Sequence, residues 1–144
     1  MKANQIELTF SSLAENLSMA RMVIASIGAQ SNLSLNDIED LKVVTSEAVT
    51  NAIVHGYRHQ QNGIVRLAVE VSDQTLRIVV QDQGCGIEDI EQAMQPAFSS
   101  DPERMGLGFV FMKSFMDRLE VDSTLNEGTT VTMIKYLNPQ PSSH

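Results

Sequence analysis

An α+β sandwich, one sheet layer against one helix layer, is the fold class this 144-residue chain predicts. Apolar residues alternate with period two near 5–10, 64–71, 75–82, 118–123 and 129–136, as in half-buried strands. They recur at helical spacing across 12–28, 34–56 and 106–116. The resulting order is strand, two helices, two strands, loop, helix, two strands, which suits a mixed, mainly antiparallel sheet with helices on one of its faces. No repeat or second domain interrupts it. Residues 1–137 are expected to form one domain, and 138–144, N-P-Q-P-S-S-H, a flexible tail.

The first run, with Ile6, Leu8 and Phe10 on one face, predicts an edge strand. Ser12 followed by Glu15 is the pattern of a capping box, and Leu13, Leu17, Ala20, Ile24 and Ile27 then keep helical spacing to a stop at Gly28. Met19 and Met22 lie off that stripe beside Arg21. They extend the buried face or form an adaptable partner surface. A second helix is expected from the Ser34/Asp37 start through Ile38, Leu41, Val44, Ala48 and Ala52 to Gly56. A hairpin follows, 64–71 and 75–82 joined by Ser72, Asp73 and Gln74, in which alternation puts Asp82 on the inward face with Leu76, Ile78 and Val80. Glu88–Met94 predicts a short helix and the stretch to Met105 a mobile loop. Gly106-Leu107-Gly108 then opens an apolar, buried helix, and Asn126-Glu127-Gly128 turns the last strand pair.

Composition narrows the function. A net charge of −8 argues against general nucleic-acid binding and favours a basic protein partner. The lone cysteine, Cys85, rules out an internal disulfide, no Cys/His cluster has zinc spacing, and no run reaches the ~20 apolar residues of a membrane span. With no signal peptide apparent, a cytoplasmic location is expected.

Chemistry concentrates in Ser46–Tyr57, S-E-A-V-T-N-A-I-V-H-G-Y, where Glu47, Asn51 and His55 fall at i, i+4 and i+8 on a mostly apolar helix. Polar groups on such a face are costly to bury unless a ligand meets them. Gly84 and Gly86 in D-Q-G-C-G-I, and Gly106 and Gly108 at a helix start, suit an anion bound by backbone amides. No G-x-x-x-x-G-K-[ST] or G-x-G-x-x-G is present, so neither a P-loop nor a dinucleotide fold is indicated. His55 and His59 share i, i+4 spacing without a third ligand, which favours capping or packing over metal binding, and Cys85 is expected to be structurally incidental.

Taken together, E-A-V-T-N-A-I-V-H-G-Y resembles the N box of the GHKL ATPases (gyrase, histidine kinases, MutL), D-Q-G-C-G-I its first glycine box and R-M-G-L-G-F its second. G-T-T at 128–130 resembles the last box. The four stand in family order, and the run I-E-D-I-E-Q-A-M-Q-P-A-F-S-S is similar to that of the short anti-sigma serine kinases within the superfamily. The resemblance implies a Bergerat-type ATP-binding fold. It implies that Asp82 accepts a hydrogen bond from the adenine amino group with Thr130 nearby, and that Asn51 holds Mg²⁺. The amides around Gly106 and Gly108 would receive phosphate oxygens, Arg104 would reach the terminal phosphate across a loop, Ala97 to Met105, shorter than the family pattern, and Glu47 would be the general base. Arg21 resembles the residue that docks protein partners. The implied activity is that of an ATP- and Mg²⁺-dependent protein serine kinase, a homodimer, which holds a sporulation sigma factor and phosphorylates a serine of an anti-anti-sigma protein. Two other readings stay open: a nucleotide-gated binding module without phosphoryl transfer, and the catalytic fragment of a histidine kinase.

Overall fold

The protein is described by a computed structural model over residues 3–95 and 105–137. Strands β1 (Asn4–Ser11), β2 (Ile64–Val71), β3 (Thr75–Asp82), β4 (Arg118–Thr124) and β5 (Gly128–Tyr136) form one sheet in the order β1-β2-β3-β5-β4. Each neighbouring pair is antiparallel, so the sheet is not mixed as the sequence suggested. The reason lies in one insertion. The β3-to-β4 crossover would make a parallel pair, but β5 enters between those two strands and pairs antiparallel with both.

Helices α1 (Asn16–Gln30), α2 (Leu35–Asn51) and α4 (Met105–Phe115) join the short α3 (Ile90–Ala93). Val65, Leu67 and Val69 of β2, Leu76, Ile78 and Val80 of β3, and Val131 and Met133 of β5 are buried at alternate positions. They form one core with Ile24 and Ile27 of α1, Leu41, Val44 and Ala48 of α2, and Phe109 and Met112 of α4. β1 is an edge strand, as its pattern predicts. In α4 one face is buried while Lys113 and Ser114 are exposed, so this helix is amphipathic rather than apolar all round.

The N-terminus of α1 departs from expectation. Its cap residue is Glu15, with no side-chain cap bond, and the Ser12/Glu15 capping box does not form. Ser12 is buried elsewhere: its hydroxyl donates to the Gln60 carbonyl at 2.6 Å and accepts from the Gly63 amide at 3.1 Å. It ties the end of β1 to the segment leading into β2. Gly28 does not end α1 either. A Cβ there would stand 2.8 Å from Ile38, so this glycine lets α1 approach α2, and the chain turns later at Asn32 with φ 59°. Met19 packs on the core whereas Met22 is exposed, which divides the two outcomes expected for that pair.

Ser34 caps α2 as predicted, its hydroxyl accepting from the Asp37 amide at 3.0 Å. At the other end α2 runs into a wide π turn over Ala52–Gly56, closed by the Tyr57 amide donating to the Ala52 carbonyl at 2.9 Å. The expected mobile loop, together with Arg104 and the tail 138–144, lies outside the described residues.

Ser12→Ala should lower the unfolding free energy by about 1–3 kcal/mol, because two part-buried hydrogen bonds, to the Gln60 carbonyl and from the Gly63 amide, are lost together. Glu15→Ala should stay within about 0.5 kcal/mol, as expected of an exposed side chain without a cap bond. Urea titrations of the two variants distinguish this from a capping box, in which both would be costly.

Candidate functional site

The site is built where the last turns of α2, the end of β3 and the start of α4 converge. Asp82 is the final residue of β3, inward-facing and 7% exposed. Its carboxylate accepts from the Gly84 amide at 2.8 Å and from the Thr129 amide. Burial nevertheless outweighs these two bonds and raises its pKa above the ordinary aspartate value. Asp82 therefore offers acceptor oxygens in a low-dielectric crevice walled by Ala48, Asn51, Gly56, Ile87, Phe109 and Thr129. The crevice holds about 20 Å³ of free space, enough for a single water.

Glycine decides how closely these elements meet. A Cβ on Gly56 would stand 2.9 Å from the Asp82 carboxylate, and one on Gly84 would overlap the Gly56 carbonyl. The Cys85 amide donates to that same carbonyl at 2.9 Å. Gly86, with φ 74°, passes against the Thr124 backbone. The first glycine box is thus strapped to the π turn on one side and to the β4–β5 turn on the other, where the Asn126 amide donates to the Cys85 carbonyl at 2.7 Å. The Cys85 thiol donates to the His55 carbonyl at 3.1 Å, which gives this cysteine a small structural part rather than an incidental one.

Glu47 and Asn51, one turn apart on α2, face Gly108 in the first turns of α4. A Cβ on Gly108 would stand 3.2 Å from Glu47 Oε2 and 3.6 Å from the Asn51 amide. Asn51 is 9% exposed, and its Nδ2 has no hydrogen-bond partner among the described residues. An unmet donor beside a glycine-lined helix start matches an acceptor-rich ligand such as phosphate. The amide oxygen of the same side chain suits Mg²⁺, so residues and group fit. Glu47 is half-buried, and desolvation raises its pKa above the ordinary glutamate value. Gly106 plays a different part, packing against the Gln95 carbonyl at the end of the segment after α3.

One residue expected at the site faces elsewhere. Thr130 pairs with Gln81 and points from the opposite sheet face. Thr129 stands across from Asp82 and lines the crevice, with its hydroxyl 2.8 Å from that of Ser123. Alternation back from Met133 and Val131 could have identified Thr129. His55 lines the crevice, but the extra backbone of the π turn rotates it away from the i+8 position of a regular helix. No group of three or more His, Cys, Asp or Glu among the described residues is placed to hold a metal ion. No described helix is long and apolar enough to cross a membrane.

Arg21 lies on α1, half-buried, with Nη1 donating to Ser46 Oγ at 3.2 Å. Arg21, Val43, Ser46 and Glu47 line one shallow depression of about 450 Å³ on the outer side of α1 and α2. Thus the side chain expected to dock partners and the one expected to act as base open onto the same surface.

Residues 10–135 match the family model described as the histidine kinase-like ATPase domain. The chain is 44% identical over 136 residues to the anti-sigma F factor of Anoxybacillus flavithermus, covering 93% of each protein. It is 43% identical over 140 residues to that of Clostridium beijerinckii, covering 96% of this chain and 98% of the relative. With the anti-sigma F factor of Geobacillus stearothermophilus it shares 46% over 134 residues, 92% of each. Among solved structures, the RsbU and RsbW domains of a Mycobacterium tuberculosis protein superpose with a TM-score of 0.68 at 20% identity, covering 94% of this chain and 33% of that one. The catalytic domain of histidine kinase ThkA superposes with a TM-score of 0.59 at 17% identity, covering 96% and 98%. These two likenesses bear on the fold.

Asp82 binds its proton more readily in the folded than in the unfolded protein, because its folded pKa is raised. The stability it contributes is full below the unfolded-state pKa, about 4, and is lost as pH rises through the folded value. Asp82→Asn removes this titration. The unfolding free energy of the variant relative to the parent, measured without nucleotide, should therefore grow as pH rises through that window and then level off. A difference that shrinks with pH would reverse the assignment.

Proposed function

The chain belongs to the histidine kinase-like ATPase family, in its anti-sigma F branch, and we propose that Asp82, Asn51, Gly108 and Glu47 make it an ATP-dependent protein serine kinase. It binds and inhibits a sporulation sigma factor and phosphorylates a serine on the antagonist that competes for it, the anti-anti-sigma protein. The observation that carries this is the meeting of Glu47, Asn51 and Gly108, with the buried Asp82 in the adjoining crevice. One α2 turn thereby faces both the phosphate cradle and, through Ser46, the surface that carries Arg21.

In this reading Asp82 accepts from the adenine amino group, with Thr129 rather than Thr130 beside it. Amides at the Gly108 end of α4 receive phosphate oxygens, and Asn51 Nδ2 gains the acceptor it lacks. Bound through the Asn51 oxygen, Mg²⁺ supplies positive charge that offsets the negative charge of the phosphates. Glu47 takes the proton from the attacking serine hydroxyl as the new O–P bond forms and the bond to the ADP oxygen breaks. Burial supports the role, since a raised pKa makes Glu47 a stronger base.

Arg21 gives partners their first fixed contact, and the net charge of −8 steers basic surfaces toward the protein. The protein works in the cytoplasm as a homodimer, with residues 1–137 as its one catalytic domain.

Glu47→Gln should keep ATP affinity and lose roughly 10²–10⁴-fold in serine transfer to the antagonist. In the parent, kcat/KM should fall on acidification at a pH above the ordinary glutamate range, because only the ionised Glu47 accepts a proton and its pKa is raised. Full transfer by the variant would exclude Glu47 as base, and unlabelled partners with parent protein and ATP would favour a binding module without transfer.

Arg21→Ala should weaken sigma or antagonist binding at least about tenfold, as loss of an interface arginine does, and leave the ATP Kd unchanged. Calorimetric titration with each ligand separates this outcome from general damage, in which both affinities fall.

A further inference from the structure

Tyr57 follows the π turn directly, and its hydroxyl joins two strand ends. It donates to the carbonyl of Ile64, the first residue of β2, at 2.6 Å, and accepts from the amide of Gln83, the first residue after β3, at 2.7 Å. These directions are forced, because a carbonyl only accepts and an amide only donates. The ring is placed by Gly63, where a Cβ would come within 2.6 Å of the ring carbons. Tyr57 therefore has a fixed seat and a fully used hydroxyl.

Gln83 is the first residue of the first glycine box beyond the end of β3. Asp82 lies just before it, and Gly84 just after donates to the Asp82 carboxylate at 2.8 Å. Rotation of the peptide group at Gln83 moves the Gly84 amide and with it the preferred direction of the carboxylate. The Cys85 amide anchors the far side of this turn on the Gly56 carbonyl, but between Asp82 and Gly84 the backbone is anchored by Tyr57.

We propose that Tyr57 is a positioning residue for adenine recognition, aiming the Asp82 carboxylate through the Gln83 and Gly84 amides. The inference rests on the reading of Asp82 as acceptor of the adenine amino group. Tyr57 needs to touch neither base nor phosphate, since it acts on the geometry of an acceptor whose hydrogen bond is directional.

The test compares binding of ATP and of purine riboside triphosphate, which lacks the exocyclic amino group, to the full chain and to Tyr57→Phe, Gly63→Ala and Asp82→Asn. Tyr57→Phe should lose about tenfold in ATP affinity and keep its affinity for the amino-free nucleotide, so that discrimination collapses. Its kcat for serine transfer at saturating ATP should be retained. Gly63→Ala displaces the ring while keeping the hydroxyl, should show the same selective loss, and decides the matter if Tyr57→Phe does not fold. Equal weakening of both nucleotides, or of neither, overturns the proposal. Should Asp82→Asn collapse discrimination while Tyr57→Phe and Gly63→Ala preserve it, the role of Tyr57 falls and that of Asp82 stands. Unchanged discrimination in Asp82→Asn overturns both.

Discussion

Backbone contact between the end of α2 and the first glycine box is the constraint on which the rest of the site depends. Gly84 lies against the Gly56 carbonyl at a distance no Cβ tolerates, and the Cys85 amide donates to that carbonyl. Because neither element carries a side chain at the contact, the helix that bears Glu47 and Asn51 sits one backbone thickness from the strand end that bears Asp82. A wider spacing would separate Asp82 from Glu47 and Asn51. The Asp82 carboxylate fills the space that a Gly56 side chain would take.

The π turn over Ala52–Gly56 serves this contact. A regular helix would carry the α2 register on to His55 and Gly56, whereas the wider turn alters where Gly56 faces and turns the His55 carbonyl to the Cys85 thiol. Its location, between Glu47 and Asn51 of α2 and the strained loop at Arg58 and His59, both with positive φ, fits the tendency of such turns to occur at functional sites. Asn51, just before it, has a donor unmet among the described residues, in a buried crevice. In a protein without a ligand to bind, that arrangement would be a net cost.

The outer side of α1 and α2 joins the site to the surface. Arg21 reaches Ser46 across the helix pair, and Ser46 neighbours Glu47. Close packing of α1 on α2, which Gly28 permits by approaching Ile38, helps set that reach. Arg21 and Glu47 are therefore held in place by the same two helices that contribute to the core. Arg21 and Glu47 thus stand on one pair of packed helices and line the same depression.

Much of this was legible in the chain. Alternation located all five strands and turned Asp82 inward, helical spacing brought Glu47 and Asn51 to one stripe, and the glycine pairs marked where segments of backbone meet closely. These are local patterns, set by the two-residue period of strands and the 3.6-residue period of helices, and a sequence carries them whole. Other features were settled by contacts between distant segments. Thr129, and not Thr130, meets Asp82 because the β3–β5 register is fixed by core packing along both strands. Ser12 abandons the helix start to satisfy the 60–63 backbone, Gly28 and Gly56 serve close approach rather than helix termination, and β5 inserts between β3 and β4. Each outcome depends on which remote partner offers a hydrogen bond or needs the space of a missing Cβ. The sequence by itself thus determined the elements and the chemistry each carries, and the tertiary structure decided which of those groups face one another.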